Sequence, residues 1–269
     1  MGTVSMRVGL IGNPVEHSRS PKMQNAAFRA LGLDHVYELW QTEDDEVAER
    51  VASIRDSDIA GANVTVPHKQ AVMEHLDEIS ETARRIGAVN TIIPDGDRLI
   101  GDNTDAPGFA ASITEKYPGF KPETVVVLGA GGASRAVIVA MQELGARVII
   151  ANRTRAKADA LARELGTDVI DWDDLAAALP NVNMLVNATS LGWHDEIVLP
   201  VEIIARLPNG ALAADLTYRD TPFLQSAAAH GKLTLDGSGM LIHQGVRAFE
   251  LWFGVTPPVD VMRQAALTD

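Results

Sequence analysis

The stretch Glu123–Val137 constrains the fold most, because a short apolar run passes through a cluster of glycines into a helical pattern. Residues 125–128 are an unbroken run of valine and leucine, which is typical of a parallel strand covered on both faces. Three glycines then let the backbone turn sharply and come close to a ligand. Good helix formers occupy 133–144, so the first free amides of that helix point at the turn and form a site for phosphate. The stretch predicts a strand, a phosphate-binding turn and a helix.

The next predicted strand, residues 146–151, carries the signal for the type of cofactor. It ends at Asn152 and Arg153, about 20 residues past the glycines, where an NAD-binding protein places an acid on the ribose hydroxyl. No acid stands there, and Arg153, Arg155 and Lys157 instead offer positive charge and forked donors to a 2′-phosphate. We therefore predict NADP as the cofactor. The alternative is a set of solvated cations at the start of a helix.

Strand and helix patterns alternate over residues 123–236, which predicts a parallel sheet with helices on both faces. The predicted strands lie at 124–128, 146–151, 168–171, 183–187, 211–215 and 233–235. Two polar segments, 187–192 and 215–218, follow strands at the edge where open sheets bind ligands. The fold class predicted for this part is a Rossmann-type, doubly wound α/β sheet.

The amino-acid composition excludes several classes of binding partner and of functional site. The formal net charge of -13 argues against nucleic acid, since neutralising phosphates needs a basic face. The absence of cysteine excludes disulfides, cysteine metal sites and a thiol nucleophile, and no metal site is predicted. There is no secretory pattern and no apolar run long enough to span a membrane, so we expect a cytoplasmic protein with no membrane partner. Met1–Ser5 is expected to be a flexible leader or an addition before a native start at Met6.

Polar residues also stand where predicted strands of the N-terminal part end. Ser18 and Ser20 follow the first strand, and Ser20 before Pro21 is also a good N-cap for a helix from about Lys22 to Leu31. An apolar strand carrying Asn63 and Thr65 stops at Pro67, and Lys69 lies just beyond it, on the predicted first turn of a helix. A lysine is unfavourable there against the helix dipole, although a solvated lysine remains the alternative.

Two further polar residues follow the same logic. Asn90 stands in the middle of a predicted strand at 87–93, where an amide needs a partner or a ligand. The segment Arg98–Asp105 predicts a second short strand with a polar end at Asp105, and a helix is predicted to begin at Pro107-Gly108. Asp105 is therefore either a cap of that helix or a functional carboxylate.

Taken together, these motifs resemble the shikimate dehydrogenase family over nearly the whole chain. The matching segments are Gly12-Asn-Pro with Ser18-Arg-Ser-Pro21, Asn63–Lys69, Gly87–Thr91, Asn103–Asp105 with Gly108, Gly129–Arg135, Asn152–Thr154, Asn187–Ser190 and Met240–Gln244. The resemblance implies reversible NADPH-dependent reduction of 3-dehydroshikimate to shikimate, in the route to chorismate and the aromatic amino acids. It also implies a substrate-binding domain of residues 1–105 plus 238–269 and an NADP-binding Rossmann domain of residues 106–237.

The resemblance assigns two sets of site residues. The substrate groups fall on Ser18, Ser20, Asn63, Thr65, Lys69, Asn90, Asp105, Tyr218 and Gln244. The NADP groups fall on Gly129, Ala130, Gly131, Gly132, Ala133, Asn152, Arg153, Thr154 and Lys157, with Thr189, Gly237 and Met240 nearer the nicotinamide. Hydroxyl and amide side chains suit a ring that carries a carboxylate and several hydroxyls, because they supply directed donors and acceptors.

The resemblance also implies a mechanism. NADPH delivers a hydride to the ketone carbon, and Lys69 delivers a proton to the oxygen as negative charge builds there. Asp105 holds Lys69 in place and bonds the neighbouring ring hydroxyl. The chain departs from the family at Trp193, where methionine is usual, and in a slightly short segment from Tyr218 to Pro222. Nicotinamide packing and the placement of Tyr218 are therefore expected to differ.

Two other functions stay open at this point. One is a quinate/shikimate dehydrogenase using NAD, against which stand Asn152 and Arg153 in place of an acid, and Ser20 where quinate-preferring relatives tend to carry threonine. The other is a non-catalytic NADPH-binding module on the same fold, since fold alone does not fix activity. The presence of both Lys69 and Asp105 argues against it. A monomer and a homodimer are equally compatible with the sequence.

Overall fold

The computed structural model describes residues 5–268, so the expectation for the first residues of the chain falls almost entirely outside it. The chain forms two compact units. The first contains the N-terminal residues up to Thr104 and the C-terminal residues from Ile242, and the second is Asp105–Leu241. Each unit contains one six-stranded sheet. The chain crosses between units before Asp105 and again inside a helix, whereas the sequence placed the second crossing before that helix.

The first unit is a mixed sheet with helices between its strands. Its elements up to residue 104 are β1 (Arg7–Gly12), α1 (Ser20–Ala30), β2 (Val36–Gln41), α2 (Val47–Ala52), β3 (Ile59–Val64), β4 (Glu78–Ile79), α3 (Glu81–Ile86), β5 (Thr91–Asp95) and β6 (Arg98–Asp102). The strand order is β2-β1-β3-β5-β6-β4. Strand β1 is parallel to β2 and β3, whereas β5 is antiparallel to β3 and β6. The parallel strands therefore bring their carboxyl ends to one edge.

The second unit is the parallel sheet that the alternating pattern predicts. Its elements are α4 (Asp105–Lys116), β7 (Thr124–Leu128), α5 (Gly132–Glu143), β8 (Arg147–Ala151), α6 (Arg155–Leu165), β9 (Asp168–Ile170), α7 (Leu175–Ala178), β10 (Met184–Asn187), α8 (Val201–Ile204), β11 (Leu212–Asp215), α9 (Pro222–Ala229) and β12 (Leu233–Leu235). The order β12-β11-β10-β7-β8-β9 is that of a Rossmann sheet, with the phosphate-turn strand at the point where the order reverses. All neighbouring strands are parallel.

Two helices complete the chain: α10 (Ser238–Phe253), which runs from the second unit into the first, and α11 (Val259–Leu267). In the first unit, α10 places the Trp252 indole against Gly61 of β3, where a Cβ would lie 2.2 Å from Nε1. The indole N–H donates to the Ile92 carbonyl oxygen at 3.1 Å. The C-terminal helices therefore belong to the core of the first unit. In residues 5–268, no helix combines the length and apolar character needed to cross a membrane.

Four local predictions are wrong, and the first two concern Lys69 and Asn90. Lys69 lies in a turn over residues 66–70, followed by a 3₁₀ helix at Ala71–His75, and not in the first turn of an α-helix. Its carbonyl oxygen accepts from the Val89 N–H at 2.8 Å, so a distant segment takes the acceptor that an α-helix would use internally. The helix-dipole argument for Lys69 therefore does not apply. Asn90 lies just before β5 and not in the middle of a strand, with its N–H donating to the Asp102 carbonyl oxygen and its own carbonyl oxygen accepting from the Val64 N–H.

The other two corrections concern helix ends. Helix α1 begins at Ser20 itself, so Ser20 is not its N-cap, and the Arg19 N-cap makes no side-chain cap bond. Ser18 instead accepts the Ser20 N–H on its Oγ at 3.2 Å. In the second unit, α4 begins two residues before the predicted Pro107, with Asp105 as its first residue.

Candidate active site

The turn after β7 leaves open space in front of a helix. Gly129 has φ of +109°, and a Cβ there would lie 3.1 Å from the Ala188 carbonyl oxygen, so the turn itself requires glycine. At Gly131 and Gly132, a Cβ would meet no described atom within 4 Å. Ser134 fills the position where such turns usually have a third glycine, and its Oγ accepts the Gly131 N–H at 3.3 Å while remaining fully buried. The turn can therefore admit a pyrophosphate against the amides that begin α5.

The two kinds of glycine give a prediction that separates folding from binding. Gly131 has φ of -99°, which any residue can adopt, so Gly131→Ala should change the free energy of unfolding by less than about 0.5 kcal/mol. We expect the same change to raise the KM for NADP by about tenfold, because the methyl group fills the space for phosphate. Denaturant unfolding and initial rates at varied NADP check both numbers. Gly129→Ala is the control and should destabilise the fold; an unchanged KM for NADP in Gly131→Ala would contradict this use of the turn.

The end of β8 presents cations beside an open cleft of about 300 Å³. Arg155 donates to Asp159 at 2.8 Å and to Asp171 at 2.6 Å, and these bonds raise the pKa of its guanidinium. The exposed Arg153 guanidinium forms no hydrogen bond or ion pair with any described residue. Lys157 is also exposed. Because Arg155 is already neutralised by two carboxylates, Arg153 and Lys157 are the cations suited to a 2′-phosphate.

A buried carboxylate ties together the two polar segments that follow β10 and β11. Asp215 accepts from the Asn187 amide at 3.0 Å, from the N–H and hydroxyl of Thr217 at 3.0 and 2.6 Å, and from the Thr221 hydroxyl at 2.9 Å. The same Asn187 side chain accepts on its Oδ1 from the Thr189 hydroxyl at 2.7 Å. Four donors satisfy the buried charge without a cation. The network therefore fixes the loops that carry Thr189 and Tyr218.

Trp193 lies in the loop after β10 and packs edge-on against Tyr218, with ring centroids 4.9 Å apart. Arg219 joins the two segments, since it donates to the Trp193 carbonyl oxygen at 2.6 Å and forms an ion pair with Asp195. The Glu196 carboxylate accepts from two backbone N–H groups of the same loop, which lowers its pKa. The departure at Trp193 therefore gives Tyr218 an aromatic neighbour.

At the start of α10, the remaining predicted cofactor residues are held against the loop after β11. A Cβ at Gly237 would lie 2.0 Å from the Leu216 carbonyl oxygen, so only glycine fits. The Gly237 N–H donates to the Thr217 carbonyl oxygen at 3.0 Å, and Met240 follows in the first turn, half-buried. In the second unit, the predicted groups at 129–133, 152–157, 189 and 237–240 all follow carboxyl ends of strands or begin helices there.

In the first unit, the loops after β1 and β3 are joined at the carboxyl ends of two parallel strands. The Asn13 N–H donates to the Val66 carbonyl oxygen at 3.0 Å, and the Thr65 N–H donates to that of Ile11 at 2.8 Å. The Thr65 methyl fills the space beside Gly12, where a Cβ would lie 2.4 Å away. Thr65 is therefore held in the same corner of the unit as the loop that leads to Ser18.

Asn63 and Asn90 belong to one buried network. The Asn63 amide donates to the Asn90 carbonyl oxygen at 3.1 Å and to the Thr91 hydroxyl at 3.2 Å. Asn90 Oδ1 accepts from the Thr104 N–H at 2.8 Å and from the Thr91 hydroxyl at 2.9 Å. Its amide donates to the Thr104 hydroxyl at 3.1 Å. The protein therefore supplies the partners that the sequence required for Asn90, and ligand contacts must use the remaining capacity of these groups.

Lys69 and Gln244 are connected to the same unit through their neighbours. The backbone of Lys69 is bonded to Val89, next to Asn90, and the preceding His68 is buried with its Nε2 2.7 Å from the Thr42 carbonyl oxygen. Gln244 lies on α10, where the adjacent Gly245 carbonyl oxygen accepts from the Gln24 amide of α1 at 3.0 Å. A buried histidine and a long-range backbone bond thus fix the turn that presents Lys69.

The predicted substrate groups divide between the units. The first unit holds Ser18, Ser20, Asn63, Thr65, Lys69, Asn90 and Gln244, and the second holds Asp105 and Tyr218. Lys69 and Asp105 therefore lie in different units, and their pairing stays a prediction. The sequence analysis assigned no role to Tyr37, Thr91 and Thr104, although Thr91 and Thr104 lie in segments that match the family. Their roles in the buried network depend on contacts between distant segments. Trp172, which lines the cleft at Arg153, was missed for the same reason.

Family models match three parts of the chain. The shikimate dehydrogenase substrate binding domain matches residues 10–92, the shikimate / quinate 5-dehydrogenase model matches residues 110–216, and the shikimate 5'-dehydrogenase C-terminal domain matches residues 237–267. The matches follow the two units, with the C-terminal helices included.

Known relatives and solved structures are similar to this chain over almost its full length. The NADP(+) shikimate dehydrogenase of Symbiobacterium thermophilum is 43% identical, over 97% of this chain and 93% of its own. The Thermus thermophilus shikimate 5-dehydrogenase structure in complex with NADP(H) and shikimate has a TM-score of 0.89 and 41% identity, covering 97% of this chain and 98% of that one. Ligand-free 5-ketofructose reductase of a Gluconobacter strain has a TM-score of 0.88 and 34% identity, covering 98% and 99%. With its two α/β units and its Rossmann sheet, the chain belongs to the shikimate dehydrogenase family.

Proposed function

We propose that the chain catalyses the reversible NADPH-dependent reduction of 3-dehydroshikimate to shikimate, a step of aromatic amino acid biosynthesis. The observation that carries this proposal is the similarity, at 41% identity over 97% of the chain, to an enzyme solved with NADP(H) and shikimate. The phosphate-binding turn and the unengaged Arg153 support NADP as the cofactor. The unit of Asp105–Leu241 is then the NADP-binding domain, and the other unit binds substrate.

NADPH supplies the hydride, and this chain's residues position the ketone and supply the proton. Lys69 is the proton donor, because an ammonium group can both protonate the oxygen and stabilise its developing negative charge. Asp105 holds the Lys69 amine on the reacting oxygen and bonds the adjacent ring hydroxyl. Ser18, Ser20, Asn63, Thr65, Asn90, Tyr218 and Gln244 complete the set that binds the carboxylate and hydroxyls of the ring.

The nicotinamide end of the cofactor is assigned to Thr189, Gly237 and Met240, whose loops are fixed by the Asp215 network. The pyrophosphate is assigned to the turn at 129–133, and the 2′-phosphate to Asn152, Arg153, Thr154 and Lys157. This division assigns the reacting end of the cofactor to the loops that follow β10 and β12. We expect the enzyme to work in the cytoplasm, as a monomer or a homodimer.

An initial-rate assay tests the proposal. Formation of NADPH from NADP, or of NADH from NAD, is followed by absorbance with shikimate and with quinate. NADPH consumption is followed with 5-ketofructose, because one structural relative is a 5-ketofructose reductase. We expect shikimate with NADP to give the highest kcat/KM. Preference for quinate with NAD would indicate a quinate/shikimate dehydrogenase, and preference for 5-ketofructose would indicate a different ketone reductase. No turnover of any pair would indicate a non-catalytic NADPH-binding module.

A further inference from the structure

Tyr37 is a buried residue of β2 that lies behind one of the proposed substrate groups. Its phenol O–H donates to Asn63 Oδ1 at 2.8 Å. Tyr37 is 2% exposed, so bulk water does not replace this partner. The Tyr37 side chain therefore joins β2 to the amide on β3.

The backbone of Tyr37 is fixed as firmly as its side chain. The Tyr37 N–H donates to Asn25 Oδ1 at 2.8 Å, and the Asn25 amide donates to the Tyr37 carbonyl oxygen at 2.9 Å. In the sheet, Tyr37 pairs with Val8 and Asn63 pairs with Leu10. Val8 and Leu10 are two residues apart on β1, so Tyr37 and Asn63 lie on the same face of the sheet, on opposite sides of β1. The phenol thus reaches across the intervening strand from a rigid base.

The phenol stays protonated under working conditions. Burial raises the pKa of Tyr37 far above its ordinary value. The hydroxyl therefore remains a neutral donor to Asn63 across the pH range in which the protein is folded.

Tyr37 and the Asn90 carbonyl oxygen together favour one orientation of the Asn63 amide. The Asn63 Nδ2 donates one hydrogen to the Asn90 carbonyl oxygen, 3.1 Å away, and the other to the Thr91 hydroxyl, 3.2 Å away. A reversed amide would place Oδ1 against the Asn90 carbonyl oxygen and turn an N–H toward the Tyr37 donor. Oδ1 accepts one bond from Tyr37 and keeps a second lone pair. Asn63 is therefore set to present an acceptor to a ligand hydroxyl.

We propose that Tyr37 is a positioning residue of the substrate site, which holds the Asn63 amide in the orientation that the Asn90 carbonyl oxygen also requires. This inference rests on the proposed function, because Asn63 acts on substrate only if that function is correct. Tyr37 itself does not touch substrate or cofactor in this account. Tyr37 affects how strongly Asn63 binds a ring hydroxyl of the substrate. Asn63 contacts that hydroxyl equally in the ground state and the transition state.

The variant Tyr37→Phe removes one oxygen atom and leaves the ring. We expect the KM for shikimate to rise about tenfold, while kcat and the KM for NADP each stay within about twofold of wild type. The reason is that a misoriented Asn63 amide weakens binding of the ground state and of the transition state equally. Tyr117→Phe is the matched control, because it removes a phenol that donates to the Thr234 carbonyl oxygen at 2.7 Å in the other unit. It should leave the KM for shikimate unchanged.

A double-mutant cycle tests whether Tyr37 acts through Asn63. In an Asn63→Ala background, Tyr37→Phe should raise the KM for shikimate by less than about twofold, because the group it orients is gone. Thr91→Val removes the hydroxyl that accepts from the Asn63 Nδ2 and should also raise the KM for shikimate. This variant provides the test if Tyr37→Phe folds poorly. Thermal unfolding of each variant accompanies the kinetics.

The outcomes separate the inference from the proposed function. A wild-type enzyme that oxidises shikimate, with an unchanged KM in both Tyr37→Phe and Thr91→Val, overturns the positioning role alone. A lower melting temperature with normal KM assigns Tyr37 to folding only and has the same consequence. A KM effect that is fully retained without the Asn63 side chain shows that Tyr37 does not act through that amide. A wild-type protein with no shikimate turnover removes both proposals.

Discussion

Lys69→Ala is expected to lower kcat for shikimate oxidation and for the reverse reduction by roughly 10² to 10⁴, the range for loss of a positioned proton donor. The fold should be kept, because the turn that carries Lys69 is held by backbone bonds, including the one from the Val89 N–H to the Lys69 carbonyl oxygen at 2.8 Å. NADP affinity should change little, because the cofactor groups lie in the other unit. Stopped-flow or initial-rate absorbance, with circular dichroism for the fold, measures these quantities.

Two further variants show which property of Lys69 matters. Lys69→Arg keeps a positive charge but cannot give up a proton, so it should remain nearly as slow as Lys69→Ala if proton transfer is required. Recovery of most of the rate in Lys69→Arg would instead assign the residue to charge stabilisation. Lys121→Ala, an exposed lysine of the other unit, should behave as wild type. Near-normal turnover in Lys69→Ala would remove Lys69 from the mechanism.

Arg153→Ala is expected to lower kcat/KM with NADP by about 10- to 100-fold and to change kcat/KM with NAD by less than about twofold. The size follows from loss of charge-assisted bonds to a phosphate that only NADP carries. Parallel titrations of both dinucleotides at fixed shikimate give the two ratios.

The neighbouring arginine provides a matched control. Arg155 has the same charge and is also exposed, but it donates to Asp159 at 2.8 Å and to Asp171 at 2.6 Å. Arg155→Ala should therefore affect NADP and NAD alike, and weakly. Equal losses for both cofactors in Arg153→Ala, or a larger NADP-specific loss in Arg155→Ala, would assign the 2′-phosphate to another group.

The Rossmann unit could be predicted closely because its signals are local. Strand β7 occupies Thr124–Leu128, as the run of valine and leucine predicts, and the other strands of this sheet begin and end within one residue of their predicted limits. Strands buried on both faces need continuous apolar runs, and the turn after β7 needs glycine at 129, where φ is positive. Each of these requirements can be seen in a short window of sequence.

The first unit could be predicted less well because its geometry depends on distant partners. The turn at Lys69 is not helical, and its carbonyl oxygen bonds the distant Val89 N–H. Ser20 is not the N-cap because the helix already begins at it, with the Met23 N–H donating to the Arg19 carbonyl oxygen. Asn90 was recognised as an amide in need of partners, but Thr104, which supplies one, is 14 positions away. In the sequence, Tyr37 is one residue of the alternating segment His35–Trp40. Its bond to Asn63 exists only once β1 lies between β2 and β3.

A double-mutant cycle on Lys69 and Asp105 tests the central claim most directly, because these residues belong to different units and are proposed to act as one device on the reacting oxygen. kcat/KM for shikimate is measured for wild type, Lys69→Ala, Asp105→Asn and the double variant. We predict that the double variant is no more than a few-fold slower than the slower single variant, as for residues that act as a unit. Losses that multiply, so that the double variant is slower by the product of the two single effects, would show independent action and contradict the account.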